Sequence, residues 1–365
     1  MFSGGFMSRG LYIHVPFCVR KCPYCDFYSV TDISLAQQYT DAVVRNIKAQ
    51  SISADTVYFG GGTPSLLTAE QLYTILSAVD ISDGAEITME CNPNSVTPQY
   101  LAEIKSAGIN RVSFGVQSLD NAELKALGRL HNSDEAESAI LAAYNAGIEN
   151  ISADIMLGTA YQSSVSLHNT IERLTSLPLK HISAYMLKIE AETPYGKNSL
   201  LTSLLPDDDT TADLYLQTVR ELEDAGFLQY EISNFARSGY ESRHNLKYWR
   251  CEEYYGIGPA AHSYVDGVRK ACPRDIAAFI RSEVQPENIT GTGGDMEERI
   301  MLALRLTQEG IDLNDLPQAS SDNVQKCIKP LLSAGLMRQN GSRIMLTAQG
   351  CPVSNEIIYR VINSI

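Results

Sequence analysis

The stretch Leu11-Tyr12-Ile13-His14-Val15-Pro16-Phe17-Cys18-Val19-Arg20-Lys21-Cys22-Pro23-Tyr24-Cys25-Asp26-Phe27 joins a short apolar run to a loop holding three of the chain's eight cysteines. Residues 11–15 have the β-branched and aromatic content of a strand, and Pro16 stops it. Three thiols spaced by three and two residues are too crowded for scattered core cysteines. On one loop, each thiolate can reach a different iron of a single cubane, and Cys is the usual protein ligand of such clusters. With three ligands, one iron stays open to an exchangeable group. The rival is zinc, whose structural sites want four ligands. His14 is the candidate fourth, but it lies on the strand, where its ring need not face the loop.

Working outward, short β-branched runs alternate with amphipathic stretches as far as residue 235. Strands are expected at 56–59, 86–90, 111–116, 151–157 and 181–187, and helices at 34–50, 68–79, 97–107, 132–147, 163–177 and 208–225. Ser34, Thr68, Thr97, Ser133 and Ser163 are the expected N-caps. Gly108, Gly147 and Gly226 stand where helices should end. Six β/α units in succession predict a parallel sheet with outer helices, and the unusual residues fall just after strands, where such sheets gather their sites. Two further units for a closed barrel are not apparent. The fold class is therefore α/β, a partial (β/α)6 TIM-like barrel. Residues 229–235 are expected to be extended, and 240–264 is aromatic-rich. Beyond a loop at 285–295, helices near 296–308 and 321–334, a hairpin about Asn340-Gly341 and a helix near 354–363 suggest a small winged-helix-like domain. The expected division is 1–235, 236–289 and 290–365.

The bulk composition fits this outline. Of 365 residues 44% are hydrophobic, enough for a large core and more than one domain. No apolar run approaches the ~18 residues of a membrane-spanning helix. Residues 1–10 show no secretory pattern, so a cytoplasmic protein without stable membrane insertion is expected. In that compartment eight cysteines are not a disulfide framework. The scattered Cys91, Cys251, Cys272, Cys327 and Cys351 read as small, half-apolar core residues. A formal net charge of −14 argues against nucleic acid as a partner.

The Cys-x3-Cys-x2-Cys loop after a first strand, ahead of a partial β/α barrel, resembles the radical SAM superfamily. The resemblance implies a [4Fe–4S] cluster on Cys18, Cys22 and Cys25, with S-adenosylmethionine (SAM) on the open iron. Gly60-Gly61-Gly62-Thr63-Pro64 follows the second strand, where glycines let backbone approach a ligand closely. By similarity, Gly61, Gly62 and Thr63 hold the SAM amino group. Glu90, Gln117 and Asp154, at the third to fifth strands, match positions that surround the ribose. Arg129, in Gly128-Arg129-Leu130-His131, matches the residue that pairs the methionine carboxylate, a pairing Arg can make with two parallel bonds. Tyr12 matches a further SAM position.

The resemblance runs over essentially the whole chain and narrows at two places. Oxygen-independent coproporphyrinogen III oxidases carry an extra cysteine two residues after the third and a longer N-terminal extension. Here Phe27 occupies that position, and 17 residues precede Cys18. His244-Asn245-Leu246-Lys247-Tyr248-Trp249 matches the H-N-x-x-Y-W signature of the HemW-type family, the oxidase-like haem chaperones. Tyr230-Glu231-Ile232-Ser233-Asn234-Phe235-Ala236 and Gly256-Ile257-Gly258-Pro259-Ala260-Ala261-His262-Ser263 are also similar to that family. The implied function is to bind haem and pass it to an acceptor protein, with an electron donor such as flavodoxin or ferredoxin as a further partner. His244 leads as haem ligand, since imidazole is the commonest proximal ligand. Tyr248 and Trp249 offer faces for the porphyrin, and Arg243, Lys247 and Arg250 offer cations for its propionates. His262 and Cys251 are rival ligands, and the bland reading makes the motif a cap on the open side of the barrel. Gly158-Thr159-Ala160-Tyr161 departs from the family's Gly-Leu-Pro at one rim loop. Coproporphyrinogen oxidation, or radical chemistry on another substrate, remains the alternative. The winged-helix-like tail, with Asp295, Glu297 and Glu298 near its first helix, suits docking within the chain or to a partner better than DNA.

Overall fold

The computed structural model describes residues 9–365, so the leader reading of residues 1–10 falls mostly outside the described residues. Strands β1 (Arg9–Val15), β2 (Ser53–Gly61), β3 (Asp80–Cys91), β4 (Arg111–Gln117), β5 (Asn150–Leu157) and β6 (His181–Met186) lie side by side in chain order, all parallel. The helices Ala36–Gln50, Ala69–Leu76, Pro98–Ala107, Ser133–Asn145 and Ser164–Thr175 make the crossovers, and Asp208–Asp224 follows β6.

Alternation along each strand sorts the side chains. In β4 the outward Val112, Phe114 and Val116 are fully buried in the core, whereas Arg111, Ser113, Gly115 and Gln117 face inward and line a cavity. A parallel sheet covered on both faces usually reads as continuous apolar sequence. Here the polar alternate positions mark an inner face reserved for something other than packing.

Thr68, Thr97 and Ser163 cap their helices through their hydroxyls. Two expected caps move. Asn132, one residue before Ser133, accepts the N–H of Glu135 in a capping box. Ser34 sits inside a short 3-10 turn capped by Asp32. Gly108, Gly147 and Gly226 adopt positive φ at helix ends, as expected.

Past β6 the chain does what the sequence reading did not foresee. Residues 229–235 are not one extended run but an antiparallel hairpin of β7 (Leu228–Glu231) and β8 (Asn234–Ala236), with β8 antiparallel to β6. The aromatic-rich stretch builds β9 (Tyr254–Ile257), which adds parallel to β1, then β10 (His262–Val265). β11 (Val268–Ala271) and β12 (Asn288–Thr292) extend the sheet antiparallel. The order is β12-β11-β10-β9-β1-β2-β3-β4-β5-β6-β8-β7, so the two edges never meet and the barrel stays open.

At the C-terminus, β13 (Ile311–Asp312), β14 (Met337–Asn340) and β15 (Arg343–Leu346) form a small antiparallel sheet beside the helices Met296–Ala303, Gln318–Ser333 and Ser354–Ile362. This region docks on the β7–β8 hairpin: Ile232 donates to the Arg305 carbonyl (3.1 Å) and Thr307 to that of Tyr230 (3.1 Å). No helix among the described residues is long and apolar enough to cross a membrane.

The helix Arg243–Trp249 lies across the N-terminal ends of β2 and β3. The buried Glu86 carboxylate accepts the N–H groups of Arg243 (3.1 Å) and His244 (3.0 Å), and Lys247 pairs with Asp55 (3.0 Å). A carboxylate there satisfies two orphan donors and opposes the helix dipole. Glu86→Ala should therefore cost about 2–3 kcal/mol in urea denaturation, because two buried donors lose their acceptor. The exposed cap variant Asp32→Ala should cost about 1 kcal/mol or less. Equal losses would show that Glu86 does not anchor the helix.

Candidate functional site

The C-terminal ends of the parallel strands open on a cavity of about 440 Å³. Cys18, Cys22 and Cys25 line it from the loop after β1, and Gly61, Gly62 and Thr63 from the turn after β2. Glu90, Gln117, Arg129 and Asp154 line it too. Every expected cluster and SAM residue except Tyr12 thus meets in one place. Tyr12 stands behind the wall, its hydroxyl 3.1 Å from Nδ1 of His14 and its ring tilted against that of Tyr58.

The cysteine loop is fastened to the glycine turn by backbone bonds. Gly62 donates to the Val15 carbonyl (2.8 Å) and Thr63 to that of Phe17 (2.7 Å). A Cβ on Gly62 would sit 2.6 Å from the Phe17 oxygen, so glycine is required by the approach of the two segments. Two sulfurs accept hydrogen bonds: Thr63 Oγ1 donates to Cys18 Sγ (3.5 Å), and Arg129 Nη1 to Cys22 Sγ (3.6 Å). Among the described residues no three His, Cys, Asp or Glu side chains gather about a single point as one ion would require. A cubane asks less, because each thiolate takes its own iron. The donor set therefore fits a three-cysteine cluster, and His14 is engaged elsewhere, its Nε2 on the Tyr28 carbonyl (2.9 Å).

The acids of the cavity are buried yet held. Glu90 accepts from the Tyr58 hydroxyl (2.9 Å) and the Gly61 N–H (3.1 Å), and Asp154 from the Ser113 hydroxyl (3.0 Å). Burial, with Asp154 nearby, pushes the Glu90 carboxyl up to about 7. Burial likewise raises Asp154, against hydrogen bonds from Ser183 and Ser113. Gln117 adopts φ of 69° at a bulge against β5, a left-handed conformation that non-glycine residues rarely take. That strain turns its amide into the cavity.

Three participants escaped the sequence reading. Asn92 clamps the site, donating to Thr63 Oγ1 (2.9 Å) and accepting from Arg129 Nη2 (2.5 Å). Arg111 is 2% exposed at the inner start of β4, with its Nε unpartnered. Asn245, the second residue of the H-N-x-x-Y-W motif, reaches the cavity wall. A signal for Arg111 existed: a lone cation opening a β-branched strand.

The motif itself forms the helix Arg243–Trp249. His244 is fully buried at the opposite end of the barrel from the cysteines. Its Nδ1 lies 2.9 Å from Thr56 Oγ1 and its Nε2 2.7 Å from the Tyr248 hydroxyl, while the Tyr58 ring stacks on it. Burial, with Lys247 and Arg111 nearby, pushes its pKa down to about 3. In this packing no nitrogen of His244 is free for iron. Trp249 stacks under Arg305, with the guanidinium 4.7 Å from its ring. The motif plugs the floor of the barrel, at the N-terminal ends of β2 and β3. Cys251 is buried, as are Cys91, Cys272 and Cys351, and Cys327 is half-buried. At the rim, Tyr161 of the departing loop is 59% exposed.

Two outcomes follow from this geometry. His244→Ala should destabilise the chain by about 2–4 kcal/mol, since it empties a packed site and strands two hydroxyls; an unchanged denaturation midpoint would remove it from the core. Glu90 binds its proton more tightly folded than unfolded, so its share of stability is full below pH ~4.5 and fades as pH rises through about 7. Glu90→Gln should abolish that part of the stability profile, on the order of 3 kcal/mol at most, measured by urea titrations from pH 5 to 8.

Comparison with known proteins agrees with the geometry. Residues 12–174 match the Radical SAM superfamily model, and residues 295–353 the HemN C-terminal domain. The chain is 33% identical to the protein named Heme chaperone HemW of Mycobacterium tuberculosis, covering 96% of this chain and 93% of that one. It is 32% identical to the Bacillus subtilis protein of the same name, over 96% and 98%. The Escherichia coli protein of that name is 39% identical over 70% of each chain. Among solved structures, coproporphyrinogen III oxidase (HemN) from Escherichia coli superimposes with a TM-score of 0.83 at 19% identity, over 98% of this chain and 91% of that one. That likeness speaks for the fold: a radical SAM partial barrel with an appended C-terminal module. The chain belongs to the HemW family of the radical SAM superfamily.

Proposed function

We propose that this protein is a haem chaperone: it binds haem and hands it to an acceptor protein, and its barrel holds a [4Fe–4S] cluster and SAM. The observation that carries the barrel part is the convergence of three cysteines, a glycine turn, two carboxylates, a strained glutamine and an arginine on one cavity. The haem part rests on relatives called haem chaperones that match 96% of the chain.

On this reading Cys18, Cys22 and Cys25 hold the cluster, and Thr63 and Arg129 orient the sulfurs of Cys18 and Cys22 by hydrogen bonds. Glu90 and Asp154 accept hydroxyls of the SAM ribose, Gln117 closes the wall above them, and Gly61, Gly62 and Thr63 take the amino group. Arg129, held by Asn92 and the Gly115 carbonyl (2.7 Å), meets the methionine carboxylate. When bound, the cluster supplies one-electron chemistry, and an electron donor such as flavodoxin or ferredoxin is the matching partner. The Arg243–Trp249 helix supports this cavity from below. The division into 1–235, 236–289 and 290–365 is proposed with it, the last part serving as a docked module.

The oxidase reading draws on the fold alone. Phe27 stands 65% exposed beside the third cysteine, where the oxidases carry a fourth.

Cys18→Ala, Cys22→Ala and Cys25→Ala, reconstituted anaerobically, should each lose most of their bound iron and sulfide and the visible absorbance of the cluster. Full iron in any of them would remove that residue from the ligand set. Haem-loaded wild type mixed with a haem-free acceptor protein should give up its Soret band to the acceptor. Formation of decarboxylated porphyrinogen under reducing, anaerobic conditions would instead establish the oxidase.

A further inference from the structure

At about 440 Å³ the barrel cavity has the size of a site for one small molecule, against roughly 300–1,000 Å³ for drug-sized ligands, and SAM takes it on the reading above. Haem must then lie outside, on a side chain that offers iron a free donor. The chain has six histidines, all among the described residues. His14 and His181 are buried with both ring nitrogens occupied, as His244 is: His14 by Tyr12 and Tyr28, His181 by Ser152 (2.8 Å) and Tyr230 (2.8 Å). His131 has its Nε2 on the Val116 carbonyl (3.0 Å) and its Nδ1 unpartnered, but that nitrogen is fully enclosed by protein and out of reach of a macrocycle. His168 is exposed but pairs with Glu221 (3.1 Å), on a helix of the outer layer. His262 is exposed, and no side-chain hydrogen bond engages its ring among the described residues.

Its position is built, not incidental. The turn from β9 to β10 crosses the end of β1, where the cysteine loop starts. A Cβ on Gly256 would fall 1.9 Å from the His262 carbonyl oxygen, so only glycine lets the two strands meet there. Ala260, inside the turn, takes a left-handed φ of 68° and donates to the Pro273 carbonyl (3.1 Å). His262 therefore emerges at the cluster end of the sheet, close enough to His14 for their charges to interact.

The surroundings suit an anionic macrocycle. Arg274 lies near His262, paired with Asp26 at 3.3 Å where both are more than half exposed. Exposed pairs of this kind are worth about 0–1 kcal/mol, so a propionate can replace Asp26 at little cost. Phe27, next to Asp26, offers an exposed aromatic face against a chain that is otherwise strongly acidic. Burial, then Arg274 and Arg269, depress the pKa of His262. That shift favours the neutral ring, the form that binds a metal.

We infer that His262, not His244, is the axial haem ligand, with Arg274 receiving a propionate and Phe27 packing against the ring. The inference rests on the haem-chaperone reading above and names its site. The test is a haem titration of the full-length, cluster-reconstituted chain, following the Soret band in wild type, His262→Ala and His168→Ala. Wild type and His168→Ala should saturate with one shifted band. His262→Ala should weaken binding by about tenfold or more and lose the shift, with added imidazole restoring it and cluster absorbance unchanged. A wild-type spectrum and affinity in His262→Ala would overturn the inference while leaving the haem reading in place. No saturable binding by wild type would overturn the haem reading itself.

Discussion

Charge on the inner face of a parallel sheet is the constraint to which the rest of this molecule answers. Glu90, Asp154, Arg111 and Arg129 all point into one cavity, and buried charges are tolerated only where they are paired, hydrogen-bonded or matched by a ligand. Each acid has its donors, Tyr58 and Gly61 for one and Ser113 for the other. Arg129 has Asn92 and the Gly115 carbonyl. The outer face carries the compensating apolar burial, so the strands can be polar inside without losing the core. A site of this kind is expensive to fold and is retained for what it binds.

The open barrel has two ends with different duties. At the C-terminal ends of the strands, backbone bonds from Gly62 and Thr63 tie the cysteine loop to the second β/α turn. At the other end, a seven-residue helix closes the floor, held by Glu86 and by His244 against Thr56. One motif, H-N-x-x-Y-W, therefore does a structural task with its histidine and sends its asparagine toward the site. The β9–β12 extension then brings His262 round to the cluster end. The chain reaches the rim by adding strands to the edge, not by completing the barrel.

Much of this was legible in residue order. The three-cysteine loop, the six strands with their helices, Thr68, Thr97 and Ser163 as caps, and the Asn340-Gly341 hairpin depend on local chemistry. Spacing along one loop, side-chain period and turn preference operate within a few residues, so the sequence displays them directly. The shift of a cap from Ser133 to Asn132 is a matter of one residue, because neighbouring polar side chains compete for the same N–H. The family resemblance also marked Glu90, Gln117 and Asp154, and all three face the cavity, the first two at strand ends and Asp154 from within β5.

What residue order could not decide was which face, and which end, each longer-range partner would meet. His244 and His262 look alike in a sequence, each an imidazole amid aromatics and cations. Only tertiary packing buries one between Thr56 and Tyr248 and leaves the other exposed, because the answer depends on strands nearly two hundred residues apart in the chain for the first. Asn92 was silent for the same reason: its meaning lies in partners across the cavity, Thr63 and Arg129. The sequence by itself determined the family, the cluster loop and the β/α order, which are local patterns. The tertiary structure decided the plug, the clamp and the free histidine, because burial and hydrogen-bond occupancy are properties of the folded neighbourhood and not of the residue.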